Sequence, residues 1–211
     1  MASTDPHLNG PDLRDLSEEE LSSDQLVDGV LLDVYRDQVR TPDGETAQRE
    51  WIDHPGASAI VPLFADGSTI LIRQFRYPAR RTFLEVPAGK IDRPGEDPAD
   101  VAARELEEET GWTAASFTHL ASSFPCIGYS NEVIHFYLAT ELSRGTQDLS
   151  DGEFVDVHRL PFGDAVAMTR NGDVRDMKTA IALMYADAHL RNDGSPHGRG
   201  SQSHTEFRRY V

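Results

Sequence analysis

Residues 85–112 read EVPAGKIDRPGEDPADVAARELEEETGW and predict a loop that leads into one well-marked helix. Asp97 suits the N-cap, and Pro98 suits the first helical position. Gly111 suits the position just beyond the last turn, where glycine adopts a left-handed backbone at low cost. These signals predict a helix over residues 98–110, and the remaining elements of the domain are assigned around it.

Three carboxylates share one face of this helix. Glu105, Glu108 and Glu109 follow the i, i+3, i+4 spacing, and like charges at that spacing repel by roughly a few tenths of a kcal/mol per pair. A hard divalent cation such as Mg²⁺ or Mn²⁺ would compensate, because both prefer carboxylate oxygens. The alternative is an exposed acidic face in a very acidic protein. A neighbouring stripe is expected to pack inward, and it consists of Ala102, Leu106 and Thr110.

The order of residues from Glu96 to Trp112 resembles the second part of the Nudix box, E-x7-R-E-U-x-E-E-x-G-U, where U is bulky and apolar. Its first part differs slightly, since six residues rather than five separate Gly89 from Glu96. A loop accommodates one extra residue at little cost. The chain is therefore identified as a member of the Nudix superfamily, and the resemblance implies a Nudix pyrophosphohydrolase.

Composition limits the possible partners. The formal net charge of −16 argues against nonspecific binding to nucleic acid or to an anionic membrane. The single cysteine, Cys126, excludes an internal disulfide and a cysteine-based zinc site. No apolar run reaches membrane-spanning length and no signal-peptide pattern is seen, so we expect a soluble cytoplasmic protein.

The chain divides into a core domain with extensions. We expect a mobile N-terminal tail (1–22), a β-sheet extension (23–54), a Nudix hydrolase domain (55–190) and a mobile C-terminal tail (191–211). In the extension, strands over 30–39 and 47–53 flank a turn at 41–44. This hairpin could be an extra part of the same domain. Similar ADP-ribose pyrophosphatase-like enzymes use such a sheet in dimerisation, so the resemblance implies a homodimer.

Within the hydrolase domain, the elements fit the α/β/α Nudix sandwich with a mixed central sheet. The predicted strands are 57–64, 69–76, 82–86, 117–124, 133–140 and 154–158, and further helices are predicted at 162–170 and 175–190. The last helix carries apolar residues at helical spacing, which is more typical of core than of a cofactor surface.

Two stretches resemble the ADP-ribose pyrophosphatase group within the superfamily. One is Arg73–Pro78, RQFRYP, in which the second arginine of that group faces substrate; here it is Arg76. The alternative for Arg76 is a surface ion pair with Glu85, and both can hold, because the pair could position the guanidinium. The other is the loop over 125–132, which here begins Phe-Pro-Cys-Ile-Gly rather than Ser-Pro-Gly.

The resemblance also implies roles for individual residues. The metal ligands would be the backbone carbonyl of Ala88 and the side chains of Glu96, Glu105, Glu108 and Glu109, holding Mg²⁺ with Mn²⁺ as a substitute. Glu108 would also be catalytic, with Arg104 orienting the glutamates and Glu153 acting as general base. Asp151 is a weaker substitute for that base, and the alternative is a solvated acidic loop. Substrate would meet Arg76, Glu85 and Ala88.

The implied reaction is metal-dependent hydrolysis of the diphosphate of ADP-ribose to AMP and ribose 5-phosphate. Another nucleoside diphosphate sugar, such as GDP-mannose or a UDP-sugar, is the alternative substrate. A non-catalytic ADP-ribose-binding module is a further alternative, but such domains usually lose box carboxylates and this chain keeps them all. Nothing in the sequence is typical of Nudix-fold isomerases.

Overall fold

The computed structural model describes residues 14–93 and 95–194. They form two compact units, one ending at His54 and including Cys126–Asn131, the other formed by Pro55–Pro125 and the chain from Glu132 onward. The tails predicted at 1–22 and 191–211 fall largely outside the described residues. Across residues 14–93 and 95–194, no helix is both long and apolar enough to cross a membrane.

The first unit is built on a three-stranded antiparallel sheet in the order β1-β2-β3. Its strands are β1 (Glu19–Asp28), β2 (Asp33–Arg40) and β3 (Thr46–Asp53). The prediction of two strands and a tail reaching residue 22 is therefore wrong at β1. All ten residues of β1 are exposed, and its sequence, EELSSDQLVD, shows no alternation of polar and apolar residues. Its ladder with β2 and an ion pair between Arg40 and Glu19 hold it instead.

The second unit contains seven strands and three α-helices among the described residues. They are β4 (Ala57–Pro62), β5 (Ser68–Arg76), β6 (Arg81–Glu85), β7 (Ala88–Lys90), α1 (Pro98–Thr110), β8 (Trp112–Ser123), β9 (Ile134–Arg144), β10 (Val155–Pro161), α2 (Phe162–Asn171) and α3 (Met177–Asn192). One sheet has the order β7-β4-β9-β8 and the other β10-β5-β6. Strands β4 and β9 run parallel while their other pairings are antiparallel, so the sheet is mixed as predicted.

Alternate residues of β4 and β9 face two different helical layers, as the period of a strand requires. Ile60 belongs to the buried cluster that includes Leu106 of α1. Val61 belongs to the cluster that contains α2 and α3 residues such as Leu183. The predicted α/β/α sandwich is therefore confirmed, with α1 on one face of the sheet and α2 and α3 on the other.

Strands β8 and β7 differ from the prediction in different ways. Strand β8 begins at Trp112, directly after α1, and not at residue 117. Trp112 packs edge-on against Phe64 with 4.7 Å between ring centroids and pairs with Arg144 in β9, and these contacts are distant in sequence. Strand β7 was not predicted, because its three residues are defined only by pairing with β4.

Candidate active site

Helix α1 is fixed at both ends, and this fixes the position of its carboxylates. The Asp97 side chain accepts a hydrogen bond from the Ala99 amide at 2.8 Å, as the predicted N-cap requires. Gly111 has a left-handed φ of 69°, and its amide donates to the Glu107 carbonyl. The loop after β9 adds further caps, since the Gln147 side chain donates to the Glu109 carbonyl at 2.7 Å.

Arg104 lies at the centre of the acidic side chains. Its guanidinium donates to Glu105 at 2.6 Å, to Glu108 at 3.2 Å and to Glu96 at 3.4 Å. Burial disfavours the charged guanidinium, but these carboxylates outweigh it and raise the pKa of Arg104. We call Glu96, Glu105, Glu108 and Glu109 the carboxylate cluster. Arg104 contacts three of these four acidic groups, and the exposed Arg93 lies 3.7 Å from Glu96.

Glu109 is the most buried member of the cluster. Its side chain is 3% exposed, and one oxygen accepts a hydrogen bond from the Ala88 amide at 2.9 Å. Burial raises the pKa of Glu109 to about 8, and the charges of Glu105 and Glu153 add to the effect. A solvated acidic surface does not bury a carboxyl group, so that alternative is wrong for Glu109.

Three further features of the cluster fit a bound cation. Gly89 lies so close to the Glu105 carboxylate that a Cβ at position 89 would overlap it. Burial also raises the pKa of Glu105 despite its contact with Arg104. The Oε2 atom of Glu96 is buried without a hydrogen-bond partner among the described residues. Such an atom is costly unless something binds it, and hard oxygen donors suit a divalent cation.

The cluster does not yet have the geometry of a metal site. Among the described residues, no three His, Cys, Asp or Glu side chains stand ready to hold a metal ion. Arg104 is bonded to three of the four carboxylates, so a cation would have to share them with its guanidinium.

Arg76 and Glu85 form the ion pair that the sequence suggested. Two parallel hydrogen bonds of 2.7 Å join the guanidinium to the carboxylate, a geometry that fixes the arginine plane. Glu85 is 3% exposed, whereas the Arg76 side chain is 43% exposed. One side of the guanidinium is therefore held from within the protein, and the other side is open to a ligand.

Lys178 and Asp176 extend this ion pair. Neither was predicted as a site residue from the sequence. The Lys178 ammonium lies 3.1 Å from Glu85 and 3.0 Å from Asp176. We call Arg76, Glu85, Asp176 and Lys178 the ion-pair network. One signal could have pointed to it, since Lys178 is one of only two lysines in the chain and follows the N-cap of α3.

Glu153 lies two residues before the start of β10 and faces the same region. Gln74 donates a hydrogen bond to its carboxylate at 3.3 Å. The negative charge of Glu153 contributes to the raised pKa of both Glu105 and Glu109, which places it within electrostatic range of the cluster. Asp151, the weaker predicted base, is exposed in the preceding turn.

The fold and the acidic helix together define a Nudix domain, and comparison with known families agrees. Residues 53–182 match the NUDIX domain family. The chain belongs to the Nudix family, and it is a Nudix pyrophosphohydrolase. Nudix hydrolases generally use divalent metal ions, in keeping with the chemistry of the carboxylate cluster.

Individual proteins of known activity are also similar to this chain. The chain is 38% identical to an ADP-ribose pyrophosphatase of Bacillus subtilis (strain 168), over 82% of this chain and 94% of that protein. It is 35% identical to a methanol dehydrogenase activator of Bacillus methanolicus (80% and 91%) and 33% identical to a GDP-mannose pyrophosphatase of Yersinia enterocolitica (64% and 74%). A crystal structure of an ADP compounds hydrolase shares the fold with a TM-score of 0.76 at 22% identity, covering 86% of this chain and 99% of that one.

Proposed function

We propose that this protein hydrolyses the diphosphate bond of ADP-ribose, releasing AMP and ribose 5-phosphate. The observation that carries the proposal is the juxtaposition of the carboxylate cluster with Glu153, beside a guanidinium that Glu85 holds in a fixed plane. The similarity to the Bacillus subtilis ADP-ribose pyrophosphatase, which spans nearly all of that relative, supports the choice of substrate.

The metal we propose is Mg²⁺, with Mn²⁺ as a substitute. The Ala88 carbonyl and the four carboxylates of the cluster would hold it, and the partnerless Glu96 oxygen supports this assignment. When bound, such an ion neutralises the diphosphate and lowers the pKa of a coordinated water. Glu109 must lose its proton to act as a ligand, so its raised pKa makes metal binding favour higher pH.

The protein's own side chains would do the rest of the chemistry. Glu153 would accept a proton from the attacking water as a P–O bond of the diphosphate breaks, and a general base of this kind contributes roughly 10²–10⁴-fold. Arg76 would contact the diphosphate through the open side of its guanidinium. Arg104 would keep Glu105 and Glu108 oriented, and Glu108 would support catalysis as a ligand.

A second candidate substrate is another nucleoside diphosphate sugar, with GDP-mannose the most specific choice. The Yersinia enterocolitica GDP-mannose pyrophosphatase supports this alternative at 33% identity. Non-catalytic binding of ADP-ribose is a weaker alternative, because the chain retains Arg104 and every carboxylate of the box.

The decisive experiment is a substrate panel. Purified protein with Mg²⁺ is offered ADP-ribose, GDP-mannose and UDP-glucose, and release of the mononucleotide is measured by chromatography. We expect AMP from ADP-ribose at the highest kcat/KM. Faster release of GMP from GDP-mannose would favour the alternative, and release from none would refute hydrolysis of this substrate class.

We also propose that the protein is a homodimer that uses the sheet of the first unit. Strand β1 and its connection to β2 expose several large apolar side chains, which is typical of an interaction surface. They are Leu21, Leu26, Val27, Val30, Leu31 and Leu32. Sedimentation should give the mass of two chains, and Leu31→Asp with Leu32→Asp should give one. Met184→Asp, an exposed apolar position on α3, is the matched control and should leave the mass unchanged.

The proposed location is the cytoplasm. The single cysteine fits a reducing compartment, because such a chain cannot form an internal disulfide. Cell fractionation should recover the protein with cytoplasmic markers, and recovery with a membrane or secreted fraction would contradict the proposal.

A further inference from the structure

Lys178 occupies an unusual position for a lysine. It lies in the first turn of α3 with a side chain only 15% exposed, although lysine usually keeps its ammonium in water. Its ammonium donates to Glu85 at 3.1 Å and to Asp176 at 3.0 Å. A buried ammonium is costly unless it is paired, and here it is paired twice.

The charges of the ion-pair network balance. Two cations, Arg76 and Lys178, face two carboxylates, Glu85 and Asp176. Burial opposes ionisation of both acids, but Arg76 and Lys178 outweigh it for Glu85, and Lys178 with Thr179 outweighs it for Asp176, so each pKa is lowered. Removing Lys178 would leave two carboxylates with one guanidinium.

Thr179, the residue after Lys178, anchors the backbone directly after β6. Thr179 is fully buried, and its hydroxyl accepts a hydrogen bond from the Val86 amide at 2.9 Å while donating to Asp176 at 2.6 Å. The first turn of α3 therefore holds Glu85 and Val86 through adjacent side chains. Lys178 contacts the Glu85 carboxylate directly, whereas Thr179 contacts the Val86 backbone and Asp176, so only Lys178 bonds Glu85 itself.

We propose that Lys178 is a positioning residue that fixes the Glu85 carboxylate and, through it, the plane of the Arg76 guanidinium. The ammonium and the guanidinium share one carboxylate, because Lys178 and the Arg76 terminal nitrogen both contact its Oε2 atom. Within residues 14–93 and 95–194, the Arg76 side chain is hydrogen-bonded only to Glu85, so any freedom of Glu85 passes directly to the guanidinium. The consequence for turnover rests on the proposed function; the effect on Arg76 orientation does not.

Lys178→Met is the principal variant. If Arg76 contacts the diphosphate equally in the ground and transition states, its misplacement raises KM and leaves kcat nearly unchanged. Small misplacements in a site cost up to about 100-fold, so we expect KM to rise roughly 10- to 100-fold. Lys178→Arg should recover much of the affinity, because it restores a cation with hydrogen-bond donors.

Two controls separate positioning from general stability. Arg191→Met removes a cation from the same helix, where it pairs with Asp187 at 2.8 Å, and should leave KM unchanged. Thr179→Val should lower the melting temperature by removing the Val86 anchor, and KM should rise much less than in Lys178→Met because the contact between Lys178 and Glu85 remains. If Lys178→Met does not fold, Lys178→Gln takes its place with the same expectation.

A measurement without substrate tests the proposal even if hydrolysis of ADP-ribose fails. The ¹H–¹⁵N signal of the Arg76 Nε group, assigned with Arg76→Lys, should be sharp in the parent protein and shifted or broadened in Lys178→Met. An unchanged Arg76 signal, or an unchanged KM in folded Lys178→Met, would overturn the proposal. So would an equal rise in KM in Arg191→Met.

Discussion

The carboxylate cluster and the ion-pair network contain the same kinds of side chain but balance their charges differently. In the cluster, four carboxylates face Arg104 and the exposed Arg93, whereas the network matches two cations with two carboxylates. Burial raises the pKa of Glu109 and Glu105 in the cluster. In the network, cations lower the pKa of Glu85 and Asp176 despite burial.

The cluster has more carboxylates than cations, whereas the network has equal numbers of both. A balanced, hydrogen-bonded network holds its side chains in one arrangement and needs no ligand. An unbalanced cluster stores repulsion that a divalent cation relieves. This difference supports our proposal that the cluster binds the metal and the network orients substrate, and the following predictions test that division.

The largest effect is expected at Glu153, the carboxylate that faces the cluster without belonging to it. Glu153→Gln should lower kcat by about 10²–10⁴-fold, because the amide cannot accept the proton from water. KM should change little, because Glu153 forms no ion pair with the ion-pair network among the described residues. Asp151→Asn tests the other loop carboxylate: a larger loss of kcat there than in Glu153→Gln would transfer the role of base to Asp151.

A somewhat smaller loss is expected at Glu109. Glu109→Gln should lower turnover at saturating Mg²⁺ by about 100-fold or more, because a neutral amide is a poor ligand for a hard cation. The fold should survive, because glutamine can still accept the Ala88 amide hydrogen bond. Turnover near that of the parent protein would contradict the assignment of metal binding to the cluster.

The comparison also separates what sequence can predict from what it cannot. The ends of α1 followed from Asp97, Pro98 and Gly111, because capping depends on residues within one turn. The spacing of the carboxylates was equally local. Lys178 contacts Glu85 across 93 positions, and no local pattern records such a pair.

Strand β1 was not predicted, for a related reason. A strand exposed at every residue has no buried face, and therefore no alternating pattern by which to recognise it. The burial of Glu109 was also not predicted, since helical spacing places it with Glu105 and Glu108 but does not reveal how deeply α1 packs. Spacing identified the chemistry of the cluster, and only tertiary packing determined its electrostatics.

A pH series in the metal-free protein should separate the two regions. Glu109 has a folded-state pKa of about 8, above its unfolded value of about 4.3, so its contribution to stability is present at low pH and is lost as pH rises towards 8. Glu85 and Asp176 have lowered pKa values, so their contribution is present above about pH 4 and is lost at more acidic pH.

Urea unfolding with EDTA at pH 5.5, 7 and 9 measures the first effect. The parent protein should lose stability between pH 5.5 and 9, and Glu109→Gln should lose less. Mg²⁺ should stabilise the parent more at pH 9 than at pH 5.5, because binding requires the deprotonated carboxylate. Parallel curves for the two proteins would remove Glu109 as the source of the alkaline instability.

The smallest effect concerns the charges outside both regions. The chain carries a net charge of −16, and at about 0.01 M salt the Debye length of roughly 30 Å leaves its surface self-repelling. Exposed pairs such as Arg36–Glu50 and Arg40–Glu19 oppose this, but each contributes only about 0–1 kcal/mol and weakens under the same screening. Repulsion should therefore dominate, and KCl should raise the melting temperature.

The melting temperature is measured from about 0.05 to 2 M KCl in sulfate-free buffer, which limits salting-out effects. Because screening of exposed charges is nearly complete well below about 1 M, the rise should level off at a few tenths molar. The carboxylate cluster should respond less than the surface, since buried charges are screened weakly. Glu109→Gln should thus show the same salt dependence as the parent protein. A melting temperature that falls with KCl would mean that the surface ion pairs outweigh the net repulsion.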